Sequence, residues 1–132
     1  MKIELTKADL LKGSPIEPGW YGAEIVNYFP KPSKDGGSLN HIFTLKLPKK
    51  DGTEIEHNFN SKAIGMMAPF IAAIQEKPIK EIIDAMGNNT LAFDTDTVIG
   101  MKIQVKIKNE QFEGRLLNKV DGFLPYSAQI PL

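Results

Sequence analysis

Hydrophobic and polar residues alternate with a period of two along several stretches of the chain, which predicts β-strands. The clearest stretch is Met101–Lys108, in which four apolar residues alternate with three lysines and one glutamine. One face of this strand is therefore expected to join the core, and the other to be basic. The predicted strands are Gly19–Phe29, Leu39–Leu47, Thr53–Asn60, a fourth strand that Gly100 opens, and Arg115–Phe123.

Turn-forming residues lie between these strands. The connection Pro30–Ser38 is rich in proline, glycine and serine, and Pro48–Gly52 ends in Asp-Gly, which is a strong hairpin signal. The last two strands are joined by a segment, Asn109–Gly114, that is predicted to be a loop. The first three strands are expected to form an antiparallel meander, since their links are short.

The spacing of the apolar residues becomes helical between the third and fourth strands. Residues 61–77 are predicted to contain a helix with Pro69 in its first turn, where a missing N–H is tolerated. A second apolar stripe in residues 79–86 follows the i, i+3, i+4, i+7 pattern of an amphipathic helix. Gly87 is expected to cap the C-terminus of that helix.

The chain is predicted to form one domain with two short extensions. Residues 1–18 are interpreted as an arm on the domain surface, in which Thr6 caps a short helix that Gly13 and nearby prolines end. The domain itself covers residues 19–126, and residues 127–132 form a short tail. A length of 132 residues suits a single domain with one sizeable core.

The element order predicts the fold class. Three strands, a helical segment and two strands form the order of an OB-fold, a five-stranded Greek-key barrel. The chain is therefore expected to be mainly β, an OB-like five-stranded barrel with the helical segment between strands three and four. An open sheet with a packed pair of helices has the same element order and is the alternative.

The composition limits the chemistry that the chain can perform. There is no cysteine, so neither a disulfide framework nor a thiolate metal site is expected. No apolar run approaches the roughly 18 residues of a membrane span, and the first residues do not resemble a secretory signal, so a cytoplasmic location without membrane attachment is expected. The net charge is zero, with 16 basic and 16 acidic residues. A nucleic-acid site would therefore have to be a local basic face.

Catalytic residues are not evident, and neither an enzyme nor a cofactor is expected. The two histidines, His41 and His57, lie inside predicted strands, where a histidine is more often a packed or surface group than a catalyst. Asp94 and Asp96 lack a third ligand at useful spacing, and aspartates in such connections usually cap turns. A metal-dependent nuclease is therefore only the third interpretation.

Single-stranded nucleic acid is bound by cations that follow the phosphates and by flat side chains on which bases stack. Phe112 is the most suggestive stacker, because it lies at the tip of the predicted loop between Lys108 and Arg115. Tyr126 is a further candidate, and Trp20 is a weaker one. The predicted nucleic-acid-binding residues are Tyr28, Lys31, Lys34, Phe59, Lys106, Lys108, Phe112, Arg115 and Lys119.

Each of these residues also has a structural explanation. Lysines on the outer side of an edge strand protect it against aggregation, and Tyr28 and Phe59 also suit the core of a small barrel. The functional interpretation therefore depends on the residues being located together, and not on any one of them.

Three segments of the chain resemble a family of small phage and prophage proteins of uncharacterised function. The segments read PGWYGAEIVNYFPKPSKDG, EHNFNSKAIG and GMKIQVKIKNEQFEGRLLNKVDGFLPY. The most specific pieces are the strand opening Gly19–Ile25 and the ending Asn118–Tyr126. The family is associated with replication and recombination, and it is similar to OB-fold single-stranded-DNA-binding proteins. The chain departs from bacterial proteins of that class in its ending, SAQIPL, which lacks their acidic partner-recruiting tail.

The resemblance and the residue pattern together imply a protein that binds single-stranded DNA, largely without sequence preference, in phage replication or recombination. The alternative is an assembly module that recruits a replication or recombination enzyme without touching DNA; the zero net charge and the acidic third strand favour it. The edges of a small barrel also favour a homo-oligomer.

Overall fold

A computed structural model describes residues 1–11 and 14–130 of the chain. Gly13, which was expected to help end the first helix, lies outside the described residues. The helices are α1 (Lys7–Leu11), α2 (Ala68–Gln75) and α3 (Ile79–Met86). The strands are β1 (Gly19–Pro32), β2 (Leu39–Leu47), β3 (Thr53–Asn60), β4 (Lys102–Phe112) and β5 (Arg115–Pro125). Short 3₁₀ turns cover Pro48–Lys50, Ser61–Met67 and Thr95–Val98.

The five strands form one antiparallel sheet in the order β3-β2-β1-β4-β5. β1 is long and serves two neighbours, because its residues 19–24 pair with β4 and its residues 24–32 pair with β2. A bulge between Ile25 and Asn27 interrupts the second of these ladders. Such a bulge bends a strand, and it allows β1 to turn from one neighbour to the other.

The sheet is open, whereas a closed barrel was expected. Within the part of the chain that the structure describes, no hydrogen-bonded ladder joins β3 to β5, and these strands are the two edges. The edges still approach each other through their side chains. The ring centroid of Phe123 on β5 lies 5.4 Å from that of His57 and 6.1 Å from that of Phe59, both on β3. Aromatic side chains therefore connect the two edges, without a hydrogen-bonded ladder in the described residues.

The core is a cluster of aromatic and aliphatic side chains between the sheet and α2. Phe43 is at its centre, with ring centroids 4.9 Å from Phe70 on α2 and 5.0 Å from Tyr28 on β1. From the sheet, Ile25, Leu45, Ile103 and Val105 are fully buried in the same cluster. The helix thus covers one side of the sheet, where the buried side chains lie.

The helical segment lies in the chain between β3 and β4 and begins as predicted. Pro69 falls in the first turn of α2, where it removes no helical hydrogen bond. Gly87 follows α3 with a φ of 59°, a conformation that favours glycine. At the N-terminus of the chain, the Thr6 hydroxyl accepts from the amide N–H of Asp9 at 3.1 Å and caps α1 as predicted.

The predicted loop at residues 109–114 is wrong, because both strands of the hairpin continue into it. β4 ends at Phe112 and β5 begins at Arg115, so that only Glu113 and Gly114 turn the chain. Their φ angles are 50° and 78°, as a tight two-residue hairpin requires at both positions. Phe112 and Arg115 are consequently direct cross-strand partners.

The end of this hairpin extends beyond the rest of the sheet. The last pair between β1 and β4 joins Gly19 to Ile107, and from there onward β4 pairs only with β5. We call residues 108–119 the distal ribbon. Both of its faces are accessible, although residues 14–16 lie across one of them, where the Asn118 side chain bonds to Ser14 and Ile16.

Candidate nucleic-acid interface

The side of β1, β4 and β5 that points away from the core carries several cations and aromatic rings, together with the carboxylates of Glu24 and Glu110, and we call it the outer face. On β4 it begins at Lys102 and continues through every second residue to Phe112, while the alternate residues Ile103, Val105 and Ile107 are buried. The predicted basic face of this strand is therefore confirmed. Register with β1 and β5 then decides which side chains join these lysines.

Trp20 is the first aromatic residue of the outer face. It pairs across the sheet with Lys106, and Lys106 pairs with Gly122 on β5. A Cβ atom at Gly122 would lie 3.2 Å from Cη2 of Trp20, so the indole lies over that glycine. Glycine leaves the strand uncovered, and a neighbouring aromatic ring commonly shields it. The six-membered ring of the indole thus contacts the sheet at Gly122, and Trp20 as a whole is only partly buried.

Tyr126 repeats this arrangement one row further along. A Cβ atom at Gly22 would lie 3.2 Å from Cε1 of Tyr126, and Gly22 pairs with Gln104. The tyrosine is 52% exposed, and the ammonium of Lys102 lies 5.8 Å from its ring centroid. Each of the two rings therefore lies over a glycine with a lysine of β4 beside it.

Gln104 fixes the position of Tyr126. Its Nε2 group donates to the carbonyl oxygens of Pro125, Tyr126 and Ala128 at 3.2, 3.0 and 2.7 Å. An amide nitrogen has two hydrogens, so at least one of them is shared between two carbonyls. Gln104 is only 6% exposed. The segment after β5 is accordingly held down on the outer face by a buried side chain.

The distal ribbon adds cations to the same side. Lys108 and Lys119 are direct cross-strand partners, an arrangement of like charges that destabilises a hairpin. Asp121 offsets part of that repulsion, since its Oδ1 lies 3.5 Å from Nζ of Lys108. Both side chains of this ion pair are about half exposed, 48% and 47%, so solvent screens it. The opposed lysines therefore make this part of the ribbon locally basic at some cost in stability.

The structure brings together one group of the residues predicted from the sequence and separates the others from it. Together on the outer face or the ribbon are Lys106, Lys108, Phe112, Arg115 and Lys119. Lys31 and Lys34 lie at the far end of β1 and in the loop that follows. Lys31 lies eleven positions after Trp20 on β1, a path of about 35 Å at the ordinary rise of a strand.

Two predicted stackers belong to the core instead. Phe59 is only 3% exposed, so neither face of its ring is free for a base, and the structure removes it from the candidate stackers. Tyr28 is half-buried against Phe43, and its hydroxyl is 2.7 Å from Nδ1 of His41. Both residues therefore take the structural role that their pattern also allowed.

A groove lies between the edge strands β3 and β5, apart from the outer face. It has a volume of about 420 Å³, and His57, Asn58 and Phe123 are among the residues that line it. Burial lowers the pKa of His57 below its ordinary value, and the positive charge of Lys119 lowers it further. The lowered pKa favours the neutral imidazole, and the groove offers amide and ring surfaces to a ligand.

No metal site is evident in the part of the chain that the structure describes. Asp94 accepts a hydrogen bond from the amide of Asp96 at 2.9 Å and caps the 3₁₀ turn that follows it, as predicted. Among residues 1–11 and 14–130, no three His, Asp or Glu side chains are grouped so that they could hold a metal ion. Within the same residues, no helix is both long and apolar enough to cross a membrane.

The chemistry of the outer face suits an extended polyanion that carries aromatic groups. Its rings offer stacking surfaces, and its lysines offer charge without the fixed pairs of donors and acceptors that read base edges. No protein-family model matches the chain, and no curated protein is significantly similar to it.

Proposed function

We propose that this chain binds single-stranded DNA, largely without sequence preference, in the cytoplasm during phage replication or recombination. One observation supports the proposal most: Trp20 and Tyr126 lie over glycines in neighbouring rows of the sheet, each beside a lysine. The two rows cross β4 at Lys106 and at Gln104, which are two residues apart, or about 6.7 Å at the ordinary rise of a strand. Two bases of one extended strand can therefore stack on the two rings.

Stacking and phosphate contacts would both contribute to the binding energy. A base stacked on an aromatic ring contributes about 1–3 kcal/mol, so the two rings supply about 2–6 kcal/mol. Lys106, Lys108, Arg115 and Lys119 would contact phosphates, and each contact releases counterions from the strand. Because neither contribution depends on base identity, the affinity should vary little between sequences.

We also propose that the open sheet is an OB-like barrel in which ring contacts replace the closing ladder between β3 and β5. In its support, β1 pairs with both β2 and β4, and α2 packs against the core side of the sheet. The ligand face would differ from the usual groove over strands two and three, because Glu54 and Glu56 occupy the exposed side of β3.

A titration with oligothymidylate tests the proposed function. Trp20 is the only tryptophan of the chain, so its fluorescence reports stacking directly. We expect quenching at low salt, weaker binding to duplex DNA, and a log–log salt slope of about −3 if four phosphates are contacted. Fluorescence anisotropy measures the affinity in parallel. Absence of binding at low salt with protein in excess would refute the proposal, and binding without quenching would exclude the outer face.

The ion pair on the distal ribbon gives a more selective prediction. Asp121→Asn frees Lys108 for a phosphate, and we expect affinity for oligothymidylate to rise several-fold and the salt slope to steepen by about 0.7. Asp84→Asn is the control, since it makes the same charge change on an exposed position of α3. Equal increases in the two variants would show that net charge alone matters and that Lys108 has no special role.

A recruiting module is the second candidate, and one feature favours it. A groove of about 390 Å³ between α2 and α3 is lined by apolar residues, and Ile64, Ile83 and Leu91 around it are exposed. Exposed apolar surface of this kind is typical of protein-binding sites, and a replication or recombination protein would be the partner. A module that only recruits such a protein would leave Trp20 fluorescence unchanged when oligothymidylate is added.

A further inference from the structure

A cavity opens beside Tyr126, at one end of the outer face. It has a volume of about 870 Å³, within the range of small-molecule sites. Its walls come from β1, β4, the 3₁₀ turn Pro48–Lys50 and residues 126–130. The last of these walls is the segment that Gln104 holds in place. The cavity is therefore built by a buried anchor and is not a gap beside a loose end.

The groups around the cavity suit an aromatic anion. Tyr126 contributes an exposed ring, and Lys102 lies beside that ring. Lys49 contributes a second cation from the 3₁₀ turn. Glu24, the cross-strand partner of Lys102, is half-buried and contributes a carboxylate that can accept hydrogen bonds. A ring, two cations and one acceptor match three groups that a nucleotide can present: a base, a phosphate and, on some bases, an exocyclic amine.

We propose that this cavity binds one nucleotide of the strand and prefers a base that carries an exocyclic amine. The base would stack on Tyr126, its phosphate would lie between Lys49 and Lys102, and Glu24 would accept from the amine. Cytosine presents such a donor at N4, whereas uracil has a carbonyl oxygen at that position, which a carboxylate repels. The inference rests on the proposed function, and it adds a single selective position to an otherwise tolerant interface.

Deoxycytidine and deoxyuridine monophosphate are the matched probes, and isothermal titration calorimetry on the full chain measures both. We expect saturable binding of each, with the cytidine nucleotide about tenfold tighter, as one hydrogen bond to a charged group implies. Glu24→Gln should remove this preference, because an amide can donate to uracil as well as accept from cytosine. Lys49→Ala should weaken both nucleotides several-fold, whereas Lys80→Ala on α3 should not.

The two titrations distinguish failure of the proposed nucleotide site from failure of the proposed function. If oligothymidylate quenches Trp20 but neither mononucleotide binds, the cavity is refuted and the proposed function stands. If mononucleotides bind with the expected preference but oligothymidylate does not, the proposed function fails and the cavity stands. Nucleotide binding that Lys49→Ala leaves unchanged, or equal affinity for the two nucleotides in the unmodified chain, would overturn the assignment of this site.

Discussion

Replacing Trp20 and Tyr126 together with alanine is expected to weaken oligothymidylate binding by about 30-fold or more. Each ring that loses a stacked base removes at least about 1 kcal/mol, and two such losses amount to at least about 2 kcal/mol. The lysines beside the rings remain, so the slope of log affinity against log salt should stay close to that of the unmodified chain. Fluorescence anisotropy of a labelled oligothymidylate is the measurement, since the variant has no tryptophan.

The control for this double change keeps an aromatic ring at both positions, with the indole of Trp20 reduced to a phenyl ring and the hydroxyl of Tyr126 removed. Trp20→Phe with Tyr126→Phe should bind within a few-fold of the unmodified chain, because phenylalanine still offers a face to a base. Both variants need a thermal melt, since the rings also cover Gly22 and Gly122. If the alanine variant is folded and binds as tightly as the phenylalanine variant, stacking at the outer face does not occur.

The bounds of a strand could be predicted closely where one side of the strand is buried and the other is exposed. The bounds of β2 and β3 agree with the prediction, because one side of each strand enters the core and Asp-Gly ends the turn between them. The distal ribbon was missed for the converse reason. Neither side of residues 109–112 is buried, so no alternation of apolar and polar residues marks them as a strand. A polar strand of this kind cannot be distinguished from a loop by its own sequence, because only its pairing with β5 makes it a strand.

The two prolines at the end of β1 misled the prediction in another way. Pro30 and Pro32 read as breakers of a strand, yet β1 continues through both of them. A proline is tolerated where its missing N–H would face no partner strand. That condition holds here, because β4 pairs only with residues 19–24 and leaves one side of the later residues unpaired. The tolerance depends on the neighbour of β1, which local sequence does not specify.

The interface was only partly predictable, because it depends on register across three distant segments. Trp20, Lys106 and Gly122 form one row only because Asp121 bulges out of the ladder between β4 and β5. Without that extra residue, the glycine would not face the indole. The two glycines were the available signal, since a glycine inside a strand often indicates that a ring lies over it. That signal points to Trp20, which the sequence pattern had ranked below Phe112.

The contact between the sheet edges depends on the aromatic cluster, because no ladder joins β3 to β5 in the described residues. Phe43 is in the centre of this cluster and is fully buried. Its ring lies 4.9 Å from Phe70, 6.0 Å from Phe59 and 6.3 Å from Phe93, measured between centroids. A cavity at this position would remove contacts to the sheet, the helix and the connection before β4 at once.

Phe43→Ala is therefore expected to lower the free energy of unfolding by about 3–5 kcal/mol, as large-to-small changes in well-packed cores do. Phe112→Ala is the matched control, because its ring is 55% exposed and the same change there should cost less than about 1 kcal/mol. Urea unfolding, followed by circular dichroism, measures both. If Phe43→Ala does not refold, Phe43→Leu should show the same order with a smaller loss. Equal losses at the two positions would mean that the aromatic cluster does not hold the open sheet together.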